Sequence, residues 1–133
     1  MISNRLKNLF GLSVLLFIAH GTEEIVMGFA SIDSHVAFLF GGLAALPMLQ
    51  ALFILFQILI WLLLVVTYLL LRGEKWQLWA MVVVGVIFLY ELHHLYKVIE
   101  VGGYYPGAIT AIPLYIVGFL FWKELLKNFS QSR

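Results

Sequence analysis

His20-Gly21-Thr22-Glu23-Glu24 puts one imidazole and two carboxylates into an otherwise apolar run from about Leu6 to Met27. A charged residue at the centre of a membrane helix costs roughly 2.5 to 3.5 kcal/mol on insertion scales, so ionisable groups there face a protein interior and do work. Residues three and four apart share one helix face, so His20, Glu23 and Glu24 project within an arc of about 100° and can act as one group. A second concentration holds Glu91, His93, His94 and Lys97. Helical periodicity sets Glu91 beside His94, about 60° apart, and pairs His93 with Lys97 on the neighbouring stripe. Glu91 and His93 are about 160° apart, so a site that uses one excludes the other.

Three kinds of chemistry suit these groups. A divalent metal, zinc or iron, could be bound by His20, Glu23 or Glu24, and His94 with Glu91, since imidazole and carboxylate are the ligands of catalytic zinc and non-haem iron sites. The chain has no cysteine, so His and carboxylate are the only strong ligands it can offer. Alternatively, two carboxylates in a low-dielectric site do not both ionise cheaply, and one of Glu23 and Glu24 would stay protonated as a general acid. The third is a relay for protons or a polar solute, lined by Gln50 and Gln57, seven residues apart on one helix face. Against all three stands a structural role, in which His20, Glu23, Glu24, Lys97 and the glutamines only hold helices together. His35 reads as an interfacial loop residue, Asp33 and Glu100 as solvated, and Trp76, Trp79, Tyr104, Tyr105 and Trp122 as interface anchors.

The elements that must position these residues are membrane helices. Of 133 residues 63% are hydrophobic and 11% charged, against roughly 25% charged in an ordinary soluble domain. Apolar segments near 6–27, 47–71, 76–99 and 108–126 each reach the length a bilayer demands. The expected fold is all-α: one integral membrane domain, an up-and-down bundle of four transmembrane helices. Net charge is only +1, which leaves no basic patch to recruit nucleic acid and makes the lipid bilayer the expected partner.

Arg5, Lys7, Arg72, Lys75, Lys123, Lys127 and Arg133 fall on one side of such a chain and only Lys97 on the other, which predicts cytoplasmic termini. The polar residues of helices one and three then share the non-cytoplasmic half, and the bias is compatible with a bacterial inner membrane. A cleaved signal peptide is the rival reading of residues 4–19, but Phe17 stands where a small residue is needed. The apolar connection from Gly28 to Leu46 reads as a connector that seals the bundle, with a lid over the polar cluster as the alternative. Ser31 or Asp33 would cap a short helix in it, broken from helix two by Gly41, Gly42 and Pro47.

With these motifs the chain resembles the HXXEE family of small multi-pass membrane proteins, named for the pattern seen here at His20 to Glu24. The resemblance extends to a His-x-x-x-Arg motif, matched at His93 to Lys97 with lysine for arginine, and to a Gly-x-x-x-Pro-Gly motif, matched at Gly102 to Gly107. It implies His93 and Lys97 as the working face of helix three, where spacing alone favours Glu91 with His94. Lysine keeps the charge but not the planar fork, so Lys97 is a poor carboxylate clamp. The family brings no established activity. The expected function is a membrane-embedded enzyme acting on a lipid-like small molecule, with His20 as ligand or base, Glu23 or Glu24 as ligand or proton donor, and His93 or His94 completing the set. The alternatives are a protein that binds or transports protons, a metal ion or a small solute, and a structural membrane component.

Overall fold

The computed structural model describes residues 2–131, which form seven α-helices and no strand. Helix α1 (Asn4–Val26) starts at Ser3, whose hydroxyl accepts from the Leu6 amide, and stops at Gly28 in the left-handed conformation. Short α2 (Phe29–Ile32) and α3 (Ser34–Ala44) follow, then α4 (Met48–Leu71), α5 (Glu74–Tyr90), α6 (His93–Val101) and α7 (Ala108–Gln131). Four stretches are long and apolar enough to cross a membrane: α1, α4, α5 with α6, and α7.

The connection between the first two spans is mostly helical. Asp33 caps α3, its Oδ1 accepting from the His35 and Val36 amides at 2.8 and 3.0 Å. Gly41 and Gly42 do not break that helix, which runs on to Ala44 and turns only ahead of Pro47. The third span is not continuous: Glu91 and Leu92 separate α5 from α6.

Helix α7 is the hub. It packs along α1 and α5, and Leu6, Leu78, Leu114, Phe121 and Leu125 form the centre of the apolar core. Between α5 and α7 the fit is reciprocal. A Cβ on Gly85 would lie 2.7 Å from the Trp122 ring, and one on Gly118 would lie 2.8 Å from Phe88, so each glycine receives an aromatic ring of the other helix. Trp122 Nε1 also donates to the Gly85 carbonyl at 2.9 Å. Trp122 is therefore packed into a helix contact rather than serving as a free interface anchor. Small residues give close helix approach in membranes, where no hydrophobic force drives one apolar helix onto another.

Helix α4 has no buried residue and packs chiefly on α5 and, at its start, on α3. It lies at the margin of the bundle, so Gln50 and Gln57 do not line the polar cluster. The chain ends meet at the opposite end from that cluster. There Ser3 Oγ donates to Glu124 Oε1 at 2.7 Å and the Ser3 amide donates to Asn128 Oδ1 at 2.8 Å. Trp79 stacks edge-on to Phe129 at 5.4 Å, which brings the Arg72-Gly73 turn to the same end. Arg5, Lys7, Arg72, Lys75, Lys123 and Lys127 gather there; Arg133 lies outside the described residues.

Gly85→Val and Gly118→Val should each lower stability by about 1 to 3 kcal/mol, because the added atoms overlap an aromatic ring of the facing helix. Thermal unfolding in detergent checks this; an unchanged midpoint for both would refute the reciprocal fit.

Candidate functional site

The last turns of α1 and the α5–α6 break bring four side chains together. His20 Nε2 lies 3.0 Å from Glu91 Oε2, 3.2 Å from His94 Nε2 and 3.7 Å from Glu24 Oε1. His94 Nε2 lies 3.2 Å from Glu24 Oε1 and 3.3 Å from Glu91 Oε2. These four atoms all sit within 4.8 Å of one another. Both imidazoles are buried, with 2% and 0% of their surface exposed, and the Glu24 side chain is the most open of the four at 22%. Spacing predicted that Glu91 and His94 share a face, and on the structure that face meets His20.

The break itself shapes this face. In a continuous helix the Leu95 amide would donate to the Glu91 carbonyl. Instead the Tyr115 hydroxyl stands between them, donating to Glu91 O at 2.9 Å and accepting from Leu95 N at 3.2 Å. Around the insertion the ladder tightens: the Leu92 amide reaches Leu89 O and the His94 amide reaches Glu91 O, both three residues back. A side chain inserted into the ladder is a recognised cause of a helix break. No residue pattern marks it, since Tyr115 acts from another helix.

Glu23 does not join the four. Its carboxylate accepts from the Ile109 amide at 3.2 Å, the Thr110 amide at 2.9 Å, the Thr110 hydroxyl at 2.5 Å and the Tyr104 hydroxyl at 2.8 Å. It thus satisfies the first free amides of α7 with a charge matched to that end of the helix dipole. Glu23, expected as a ligand or proton donor, is thus placed at the start of α7 and outside the four-residue group, and Tyr104 is tied to Glu23 by its hydroxyl.

Glu23 also bears on the tautomer of His20. A carboxylate only accepts, so Thr110 gives it its single hydroxyl hydrogen and must accept from His20 Nδ1, 2.8 Å away. The network therefore assigns the hydrogen of neutral His20 to Nδ1 and leaves the Nε2 lone pair facing Glu24, Glu91 and His94. Lone pairs and carboxylates at these distances repel unless a cation or proton lies among them. Gly107 permits the convergence: a Cβ there would come within 2.6 Å of His94 Cε1 and 2.8 Å of His20 Cε1. Its φ of +86° also favours glycine.

His93 and Lys97 turn elsewhere. Lys97 pairs with Glu100 at 2.8 Å, outside the cluster. His93 Nδ1 bonds to the Tyr90 carbonyl at 3.1 Å, and its Nε2 faces Asp33 Oδ2 at 3.9 Å. Asp33, expected to be solvated, is 2% exposed, because Oδ2 accepts from Tyr105 at 2.6 Å while Oδ1 caps α3. Burial opposes ionisation of Asp33, yet the bonds from Tyr105, Val36 and His35 outweigh it and hold the carboxyl below its usual 3.8. Burial, with Asp33 alongside, pushes the Tyr105 hydroxyl up. Tyr105 is accordingly a buried clasp between the α6–α7 turn and α3, not an interface anchor. His35 stays exposed, its Nδ1 3.6 Å from Asp33. Phe29 packs against His93, His94 and Tyr105 where the two polar groups adjoin, the His93 and His94 rings themselves lying 4.1 Å apart.

A model of the family described as proteins of unknown function with an HXXEE motif matches residues 12–122, and the chain belongs to that family. No curated protein and no solved structure matches it.

Tyr105→Phe should cost about 1.5 to 3 kcal/mol, the usual worth of a hydrogen bond to a charged group. The sign with pH follows from the depressed pKa of Asp33: its contribution is fully present above 3.8 and is lost as pH falls through the lower folded value. The gap between wild-type and variant melting midpoints should therefore be widest near neutral pH and close in acid. A gap that widens in acid would refute the clasp.

Proposed function

We propose that this HXXEE-family protein is a membrane-embedded metalloenzyme. Its divalent ion, zinc or ferrous iron, is held by His20, Glu24, Glu91 and His94 and acts on an apolar, lipid-like substrate. The carrying observation is the spacing of the four donor atoms. A tetrahedral ion with ligands at about 2.0 to 2.1 Å requires donors about 3.3 to 3.4 Å apart. Five of the six donor pairs run from 3.0 to 3.7 Å, and all lie within 4.8 Å. Two imidazoles and two carboxylates with no thiolate suit zinc or iron at a site that also has to be neutral in hydrocarbon. Two ionised carboxylates around a divalent ion give zero net charge.

Supporting groups suit the same reading. Thr110 holds His20 by Nδ1 and is itself held by Glu23, the kind of outer contact that fixes the tautomer of a ligating histidine. Glu24, the most open of the four, is the ligand that a water or substrate oxygen would displace. His20, His94 and Glu91 would be the three more buried residues holding the ion, and Glu24, on the open side, would be the carboxylate placed to accept a proton there. Metal-activated water and a polarised substrate oxygen are the chemistry the ion supplies. The distribution of Lys and Arg supports a site in the non-cytoplasmic half, reached from the bilayer.

Purified protein should carry one equivalent of zinc or iron by elemental analysis, and cobalt should give the intense visible bands of a tetrahedral site. His20→Ala and His94→Ala should abolish binding. Thr110→Val should weaken it by about 10- to 100-fold, as outer-contact losses do. Lys97→Ala should leave affinity unchanged. Protein that holds neither native metal nor cobalt would sink the metal reading.

A further inference from the structure

Beside the four-residue centre, a cleft of about 330 Å³ opens between α6 and α7. Leu95, Val98, Ile109 and Ile112 wall it, and His94 and Tyr115 lie at its inner side. Leu95, Ile109 and Ile112 are all more than half exposed, on helices of membrane-spanning character, so the mouth faces hydrocarbon. Tyr104 and Gly103, in the turn that ends the span, line it too. The cleft therefore runs alongside a span, with a hydroxyl near the end of the helices and apolar walls along its length. Water gains nothing there, and a polar solute would lose its hydrogen bonds.

We infer that this cleft receives one acyl chain of a membrane phospholipid, and that Tyr115 couples its occupancy to the His20–Glu24–Glu91–His94 centre. The coupling half rests on the metal reading above; the chain-binding half does not. Tyr115 connects the two because it belongs to both. Its ring is part of the cleft wall, while its hydroxyl occupies the break in the helical ladder between Glu91 O and Leu95 N. Glu91 supplies Oε2 to the centre, His94 lies inside the spanned turn, and Leu95 is itself a wall of the cleft. A chain that presses on the ring shifts the turn carrying two of the four donors. Cleft and centre thus share one structural element, the turn bridged by the Tyr115 hydroxyl.

The test uses the full chain in nanodiscs of phosphatidylcholine doped with a phosphatidylcholine whose acyl chain carries a diazirine. After photolysis, mass spectrometry should find labelling of Leu95, Val98, Ile109 and Ile112 several-fold above that of the equally lipid-exposed face of α4. Ile112→Trp should remove most of the excess. Labelling as uniform as on α4 would overturn the chain site, whatever the metal content. In cobalt-loaded protein in detergent, added phosphatidylcholine should shift the visible bands, and Tyr115→Phe should retain cleft labelling but lose the shift. Bands indifferent to lipid in wild type would overturn the coupling, as would an undiminished shift in Tyr115→Phe. Cleft labelling in protein that takes up no cobalt would uphold the chain site while overturning the metal reading and the coupling together.

Discussion

Two carboxylates and two imidazole nitrogens packed within 4.8 Å inside a membrane bundle repel one another unless a cation or a proton lies among them. Much of the local structure answers to that constraint. The Nε2 lone pair of His20 points inward only because Thr110 holds its Nδ1 hydrogen, and Thr110 accepts that hydrogen only because Glu23 has taken its own. Glu23 is available because the free amides at the start of α7 stabilise it as an anion. The last turn of α1, the first turn of α7 and the polar centre are thus one electrostatic unit, and a change in any of them reaches the others.

Backbone features serve the same convergence. A straight helix through residues 76–99 would carry Glu91 and His94 past His20 at a fixed pitch; the insertion of Tyr115 tightens the turn and re-aims the segment that follows. Gly107 then lets the α6–α7 turn lie directly on the edges of both imidazoles. At the far end, Ser3, Glu124 and Asn128 lock α1 to α7, so the two helices that present His20 and Thr110 are fixed at both extremities. Rigid support of this kind holds the four converging side chains at fixed separations.

The number of spans and the clustering of their polar residues were legible because hydropathy and helical pitch are local properties. Asn4–Val26, Met48–Leu71 and Ala108–Gln131 lie within a few residues of the apolar segments that announced them. The pairing of Glu91 with His94 followed from pitch as well. What local pattern does not encode is a partner from another helix. Glu23 and Glu24 are adjacent and chemically alike, and only the position of α7 separates an anion that caps a helix from one that faces two imidazoles. Asp33 looked solvated because it sits in a loop, yet Tyr105 from seventy-two residues further on closes over it. Tyr115 gave no signal, since a tyrosine in an apolar span is ordinary.

The three motifs of the chain can now be read as parts of one device. In His20 to Glu24, a spacing of four places the imidazole and Glu24 on one line toward the centre, while Glu23, one residue earlier, is rotated by about 100° from Glu24 onto the end of α7. The two glutamates have different partners, Glu23 the start of α7 and Glu24 the two imidazoles. In His93 to Lys97, adjacent histidines point to different polar groups: His94 to the centre, His93 to Asp33. Gly102 to Gly107 closes the device, with Gly102 ending α6 in the left-handed conformation, Tyr105 clasping Asp33 and Gly107 yielding its volume to two imidazoles. Three stretches of sequence that look like separate signatures meet because His20 and Glu24 on one helix, Glu91 and His94 around a helix break, and a turn with no side chain at Gly107 converge on one polar group.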